Sequence, residues 1–98
     1  MTIHDFLIKN GIFPNLKGFN YLIKAVEIVK ENPTIKTTKD LYPAIAKAFK
    51  DSSQKVERAI RNIVAQKIKI KQYAEIGINK RPTNSELIWY FAVEGGKL

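Results

Sequence analysis

The segment from residue 53 to residue 66 carries polar side chains that could hydrogen-bond to the edges of nucleic-acid bases. At about 100° per residue of an α-helix, Lys55, Arg58 and Asn62 cluster on one face, with Gln54, Glu57 and Arg61 beside them. Arg donates two hydrogen bonds to guanine, Asn or Gln pairs with adenine, and Glu accepts from the cytosine amino group. The alternative is an exposed helix face with weak ion pairs, such as Glu57 with Arg61, of about 0.2–0.5 kcal/mol each. The choice between these interpretations depends on the elements that position the helix.

An amphipathic helix and a tight polar turn precede this segment. Lys50-Asp51-Ser52 is the predicted turn, and Ser52 or Ser53 is a suitable N-cap for the second helix. In a helix-turn-helix frame that begins at Tyr42, the small Ala46 falls where the two helices approach most closely, and Lys50 takes the position usually held by glycine. The predicted buried positions are Leu41, Ile45, Ala48 and Phe49 in the first helix, and Val56, Ala59, Ile60, Ile63 and Val64 in the second. The pattern favours a helix-turn-helix over about residues 40–66, in which one helix braces the next in the major groove. An ordinary αα-corner is the alternative.

Two further helices are predicted before this pair. The first covers about Thr2 to Asn10, and the second runs from about residue 16 or 18 to residue 31, with apolar residues at helical spacing. Pro43 would disrupt a helix interior but is tolerated in a first turn. The helix that contains it is therefore predicted to have its N-cap at Thr38 or Asp40.

The chain after the helix pair gives a weaker pattern and then a strong one. The alternation at Lys67–Lys71 would suit a strand, but a lone strand has no partner here, so a helix ending near Gly77 is favoured. Thr83–Glu86 has the T-x-x-E form of a capping box and predicts a last helix that Gly95-Gly96 ends. The sequence therefore predicts one all-α domain over residues 1–98, a compact bundle of five to six short helices containing a helix-turn-helix.

The positive charge is concentrated in the middle of the chain. Formal net charge is +8, and residues 32–80 carry eleven Lys or Arg against four acids, which gives +7 of that total. A basic balance of this size predicts a polyanionic partner, whereas an evenly spread charge would fit a lysine-rich solvated surface equally well.

Several classes of function are not expected. The chain has no cysteine, which excludes disulfides and thiolate metal sites, and no apolar run approaches the roughly 20 residues that span a bilayer. The N-terminus lacks the features of a secretory signal. No nucleophile motif, nucleotide-binding loop or cluster of metal ligands is present. We therefore expect a cytoplasmic protein that is not an enzyme and has no metal, cofactor or membrane partner.

Three segments together resemble a known family. LYPAIAKAF at Leu41–Phe49, VERAIR at Val56–Arg61 and RPTNSELI at Arg81–Ile88 are similar to the C-terminal DNA-binding domain of sporulation stage-zero protein A, a response regulator. The similarity extends from about Gly11 to Ile88 and includes KGFNYL at Lys17–Leu22. The resemblance implies a compact six-helix fold and binding of a short TGTCGAA-like box in double-stranded DNA through the helix-turn-helix.

The resemblance also implies a bacterial protein associated with the nucleoid. Together with the polar helix face and the basic charge, it predicts roles for individual residues. The predicted base-reading set is Gln54, Lys55, Glu57 and Arg58. The predicted set for the DNA backbone is Lys36, Thr38, Lys39, Ser52, Arg61, Asn62, Arg81, Thr83, Asn84 and Ser85. A role for residues 83–85 also follows from physics, because free amide groups at a helix start attract phosphate.

Departures from the family pattern leave other functions open. The sequence has no receiver domain, so activation by phosphorylation in cis is not expected, and the Met1 start favours a complete small protein over a fragment. Asn62 stands where the family has histidine, and the segment before Pro82 is shorter than in the family, in the part linked to RNA polymerase. The leading hypothesis is a sequence-specific transcriptional regulator, with RNA polymerase and a second copy on tandem sites as further partners. The alternatives are a protein-interaction module that binds a full-length regulator or a polymerase subunit, and nonspecific nucleic-acid binding.

Overall fold

A computed structural model of the chain describes residues 1–94, which form short helices and no strands. The α-helices are α1 (Ile3–Lys9), α2 (Lys17–Glu31), α3 (Tyr42–Phe49), α4 (Ser53–Arg61), α5 (Ile70–Ala74) and α6 (Asn84–Trp89). Wider turns of π type extend three of them, at Thr37–Leu41 before α3, Asn62–Lys67 after α4 and Tyr90–Glu94 after α6. The predicted all-α class with five to six short helices is confirmed for the described residues. No helix within them is long and apolar enough to cross a membrane.

Helix α2 is the central element, and it packs against α1, α3, α4 and α6. Its start comes close to α4, where Gly18 lies against the Ala59 carbonyl and the Ile63 side chain. Its buried face is made by Phe19, Tyr21, Leu22, Ala25, Val26 and Val29. The predicted bounds are confirmed, and Asn32 ends the helix ahead of Pro33 as expected.

Helices α3 and α4, joined by a short turn at residues 50–52, are consistent with the predicted helix-turn-helix. Lys50 ends α3 in the left-handed conformation, with φ of 55°, which is why this position usually favours glycine. Ser52 is the N-cap of α4 and its hydroxyl accepts a hydrogen bond from the Lys55 amide, as one of the two predicted caps would. Val56, Ile60, Ile63 and Val64 are buried as predicted, while Ala59 is half-buried.

Two predictions about the helix before the turn are wrong. Its helical run begins at Thr37 rather than after Thr38 or Asp40, because the wide turn there, closed by the Leu41 amide on the Lys36 carbonyl, makes room for Pro43. The buried positions are Leu41, Tyr42, Ile45 and Ala46. Ala48 and Phe49 are exposed, and Phe49 reaches only the edge of the Tyr21 ring, with centroids 5.2 Å apart. The wide turn rotates the following residues, so the buried face moves from Ala48 to Ala46.

The predicted continuous helix from Gln66 to Gly77 is also wrong. The chain becomes extended at Ile68 and Lys69 and then forms α5. Ile68 is fully buried, so its side chain enters the core only if the backbone leaves the preceding helix. The Tyr73 hydroxyl donates to the Val64 carbonyl at 2.8 Å, which holds α5 against the residues that follow α4. Burial raises the pKa of this hydroxyl.

Helix α6 begins with the predicted capping box. Thr83 accepts from the Glu86 amide at 3.1 Å, and Glu86 accepts from the Thr83 amide at 2.8 Å. The hydrogen bond from the Thr83 backbone lowers the pKa of Glu86. Leu87 and Ile88 are buried in the core. The predicted stop at Gly95-Gly96 lies outside the described residues.

Candidate nucleic-acid interface

Helix α4 is held so that its polar face points away from the core. Val56 and Ile60 are fully buried one turn apart, which fixes the rotation of the helix about its axis. The opposite face is therefore presented to solvent, with Lys55, Arg58 and Asn62 all exposed. The Ser52 cap and Lys50 at the end of α3 set the angle at which the helix leaves the turn.

Arg58 lies at the crest of this face, between hollows on its two flanks. The α2-side hollow is lined by Lys17, Tyr21, Asp51, Lys55, Arg58, Ala59 and Asn62. Two adjoining hollows lie on the other flank, and together we call them the α6-side hollow. Both are lined by Thr38, Tyr42, Glu57 and Arg61. They reach Gln54 and Arg58 at one end and residues 82–85 at the other. The arrangement places a ridge of hydrogen-bonding side chains between two recessed flanks.

Hydrogen bonds fix the α6-side flank. The hydroxyls of Thr37 and Ser85 are 2.6 Å apart, which joins the wide turn before α3 to the start of α6. Nearby, the Asn84 side-chain amide donates to the Tyr42 hydroxyl at 3.1 Å. Burial raises the pKa of Tyr42. Two segments distant in sequence, residues 37–42 and 84–85, therefore form one polar surface beside α4.

The cations of α4 differ in their carboxylate partners. Arg61 Nη1 lies 3.3 Å from Glu57 Oε1, and Lys55 Nζ lies 3.7 Å from Asp51 Oδ1. Within residues 1–94, Arg58 forms no salt bridge, although it is the most central of the three. Its guanidinium is therefore the α4 group best able to form a new bidentate contact.

Asp51 is held at the base of the α2-side hollow. Its Oδ2 accepts a hydrogen bond from the Tyr21 hydroxyl at 2.6 Å, and its Oδ1 accepts from the Ser52 amide at 3.0 Å. The Tyr21 hydrogen bond is the main cause that lowers the pKa of Asp51. Burial, and then the hydrogen bond to this carboxylate, raise the pKa of Tyr21 to about 12. A negative charge therefore stays fixed between the helix pair and α2.

Most of the predicted residues meet around α4. Gln54, Glu57, Arg58, Arg61 and Thr38 line the α6-side hollow with Thr83, Asn84 and Ser85, and Lys55 and Asn62 line the α2-side hollow. Lys36 is exposed nearby and shares a shallow hollow with Thr37 and Ser85. Their contact with DNA stays a prediction.

Three predicted residues stand apart from this group. Lys39 is exposed but lines neither hollow, and the Ser52 hydroxyl is engaged by the Lys55 amide. Arg81 is half-buried, and its Nη1 donates to the carbonyls of Val64 and Ile68, each at 2.8 Å. These hydrogen bonds satisfy two carbonyl groups at the end of the helical run that follows α4. Arg81 therefore has a structural role, independent of any contact with DNA.

Other residues of the interface could not be identified from the sequence. Lys17 and Thr37 had no predicted role and Asp51 was predicted only as part of the turn, because their positions beside α4 depend on how α2, α3 and α6 pack. Tyr42 was assigned only a place in the helix-turn-helix frame. Among the described residues, no group of three or more His, Cys, Asp or Glu side chains could hold a metal ion.

Comparison with known families gives a match over nearly the whole chain. A family model described as "Sporulation initiation factor Spo0A C terminal" matches residues 3–94. The matched region includes all six α-helices, both hollows and every predicted base-reading residue.

Proposed function

Because the chain belongs to the family of sporulation initiation factor Spo0A C-terminal domains, which are DNA-binding effector domains and not enzymes, we propose that it is a sequence-specific transcriptional regulator. Helix α4 would enter the major groove of double-stranded DNA, and α3 would lie across the backbone. As a regulator of this kind it would act in the cytoplasm of a bacterial cell.

The observation that carries the proposal is the position of Arg58. It is exposed at the crest of α4, it lines hollows on both flanks, and no salt bridge within residues 1–94 engages it. A guanidinium free at the centre of a presented helix can donate two hydrogen bonds to the O6 and N7 atoms of guanine. Arg58 is therefore the main base-reading residue of the proposal.

Other side chains have secondary roles in this proposal. Gln54, Lys55 and Glu57 would read neighbouring bases, although Glu57 must first loosen its 3.3 Å contact with Arg61. Residues 83–85 and Thr38, on the α6-side flank, would position one strand of the DNA backbone. Lys36, Lys39, Ser52, Arg61, Asn62 and Arg81 complete the proposed backbone set.

The proposal is tested with two labelled duplexes of equal length, one with a TGTCGAA-like box and one scrambled, titrated by fluorescence anisotropy across a salt series. The unaltered protein should prefer the box by about a hundredfold, or about 2.7 kcal/mol. Arg58→Ala should lose about 1–3 kcal/mol of that preference. Lys39→Ala is the matched control, because loss of a backbone contact weakens binding to both duplexes alike and flattens the salt dependence.

Three outcomes would contradict the proposal. An unchanged ratio of affinities in Arg58→Ala would exclude this residue from base readout. Equal binding of the unaltered protein to both duplexes would indicate nonspecific binding or another target sequence, which selection from random duplexes would separate. No binding to either duplex would favour the protein-interaction alternative.

We also propose two further partners, a second copy of the chain and RNA polymerase. A second copy on tandem boxes should appear as two bound chains per two-box duplex in analytical ultracentrifugation. RNA polymerase would be tested by co-sedimentation with the DNA-bound protein.

A further inference from the structure

The α2-side hollow has the composition of an anion-binding surface. Lys17 Nζ lies 3.7 Å from Asp51 Oδ2, and Lys55 Nζ lies 3.7 Å from Asp51 Oδ1. With Arg58 on the same hollow, three cations face one carboxylate. The net charge of the lining is therefore positive, which suits a polyanion better than a peptide of mixed charge.

The two lysines are only loosely held by the carboxylate. Their side chains are 77% and 70% exposed, whereas that of Asp51 is 10% exposed. Asp51 makes its short hydrogen bonds, of 2.6 and 3.0 Å, to Tyr21 and Ser52 instead. Because exposed ion pairs are worth little, an incoming anion can take over the ammonium groups without disturbing the turn.

Close packing keeps Lys17 beside α4. Gly18, its neighbour, has no side chain, and a Cβ there would meet the Ala59 carbonyl oxygen at 2.6 Å. The first turn of α2 therefore approaches the α4 backbone as nearly as it can. Lys17 consequently projects along the flank of α4 opposite to the one that residues 83–85 occupy.

The geometry of a major groove indicates which part of the DNA would lie beside Lys17. The groove is about 12 Å wide and is bounded by phosphates of both strands, so a helix inside it has a backbone on each flank. Resting on the proposed function, we propose that Lys17, from outside the helix-turn-helix, binds a backbone phosphate on the flank opposite to α6. Asp51 is the internal carboxylate that the phosphate replaces as the partner of Lys17.

The test compares Lys17→Gln with Lys30→Gln in the same anisotropy titration. Lys30 is exposed near the other end of α2, so both variants remove one charge from the same helix. Removing one phosphate contact should reduce the slope of log affinity against log salt by about 0.9, and lower affinity about eightfold at 0.1 M salt. The ratio between box and scrambled duplexes should not change. Lys30→Gln should keep the slope of the unaltered protein.

Asp51→Asn gives an independent measurement with the opposite sign. Loss of the competing carboxylate should tighten binding to both duplexes by a similar factor, with thermal unfolding confirming that the turn is intact. A fall in affinity of the folded variant would overturn the role of Asp51.

The outcomes separate this inference from the proposed function. If Lys17→Gln matches Lys30→Gln while the unaltered protein keeps its box preference, the inference is overturned and the proposed function stands. If the unaltered protein binds no DNA, both are overturned. A reduced slope with an unchanged ratio supports the phosphate contact.

Discussion

Substituting Gly18 by Ala sets two opposing effects against each other at the contact between α2 and α4. Helix propensity favours Ala over Gly by about 0.8–1 kcal/mol in a helix interior, and by less in a first turn. Against this, the added Cβ would lie 2.6 Å from both the Ala59 carbonyl oxygen and Ile63 Cδ1. Relieving such overpacking costs typically about 1–3 kcal/mol.

The clash should prevail over propensity. One of the two atoms belongs to the backbone of α4 and cannot rotate away, so α2 and α4 must separate. We expect Gly18→Ala to lose about 1 kcal/mol of unfolding free energy, which for a domain of this size lowers the melting temperature by about 4–8 °C. The same shift would displace Lys17 from the α2-side hollow and weaken DNA binding.

Chemical and thermal unfolding, followed by circular dichroism, measure the effect. The double variant with Ile63→Val removes Cδ1, the movable half of the clash, so its destabilisation should be less than the sum of the two single variants. A Gly18→Ala protein as stable as the unaltered one, or more stable, would refute the reasoning. It would mean that helix propensity outweighs a contact that the structure makes very short.

Two other predictions concern the turn between α3 and α4. Lys50→Gly should stabilise the fold by about 0.5–1 kcal/mol, because a left-handed conformation costs a non-glycine residue energy. Lys47→Gly, within α3, is the control and should destabilise the fold by a similar amount. Urea unfolding in which both substitutions change the unfolding free energy in the same direction would contradict this prediction. Tyr21→Phe should raise the pKa of Asp51 toward its usual 3.8. A lowered carboxyl pKa stabilises the fold above 3.8 and loses that contribution as pH falls further, so the stability advantage of the unaltered protein should narrow in acid. Urea unfolding at neutral pH and below 3.8 measures the difference in unfolding free energy between the unaltered protein and Tyr21→Phe. A difference that does not change with pH would contradict a stabilising hydrogen bond to the Asp51 carboxylate.

Features encoded locally could be predicted from the sequence. The capping box at Thr83–Glu86 and the N-cap at Ser52 depend on hydrogen bonds within three residues, and both are confirmed. The bounds of α2 follow from its apolar spacing and from Asn32-Pro33. The similarity of three segments to one family was also present in the sequence and is confirmed by the match over residues 3–94.

Features that depend on packing could not be predicted. The wide turn at Thr37–Leu41 precedes α3, and apolar spacing alone placed the exposed Ala48 in the core, whereas the helix-turn-helix frame assigned the buried Ala46 to the contact between the helices. The helix is interrupted at Ile68, whose side chain is buried in a core formed by other helices. In the interface, the ridge of α4 was visible as a helical face, but Lys17 joins it only through the close approach at Gly18.

The two carbonyl bonds of Arg81 have a consequence for the kinetics of association. They tie the segment just ahead of α6 to the end of the helical run that begins with α4. The polar start of α6 and the ridge of α4 are thus oriented relative to each other in the free protein, before the proposed encounter with DNA. Little conformational entropy then remains to be lost in the encounter, so association should proceed as docking of a preorganised surface, with a rate set by electrostatic attraction rather than by rearrangement of the chain.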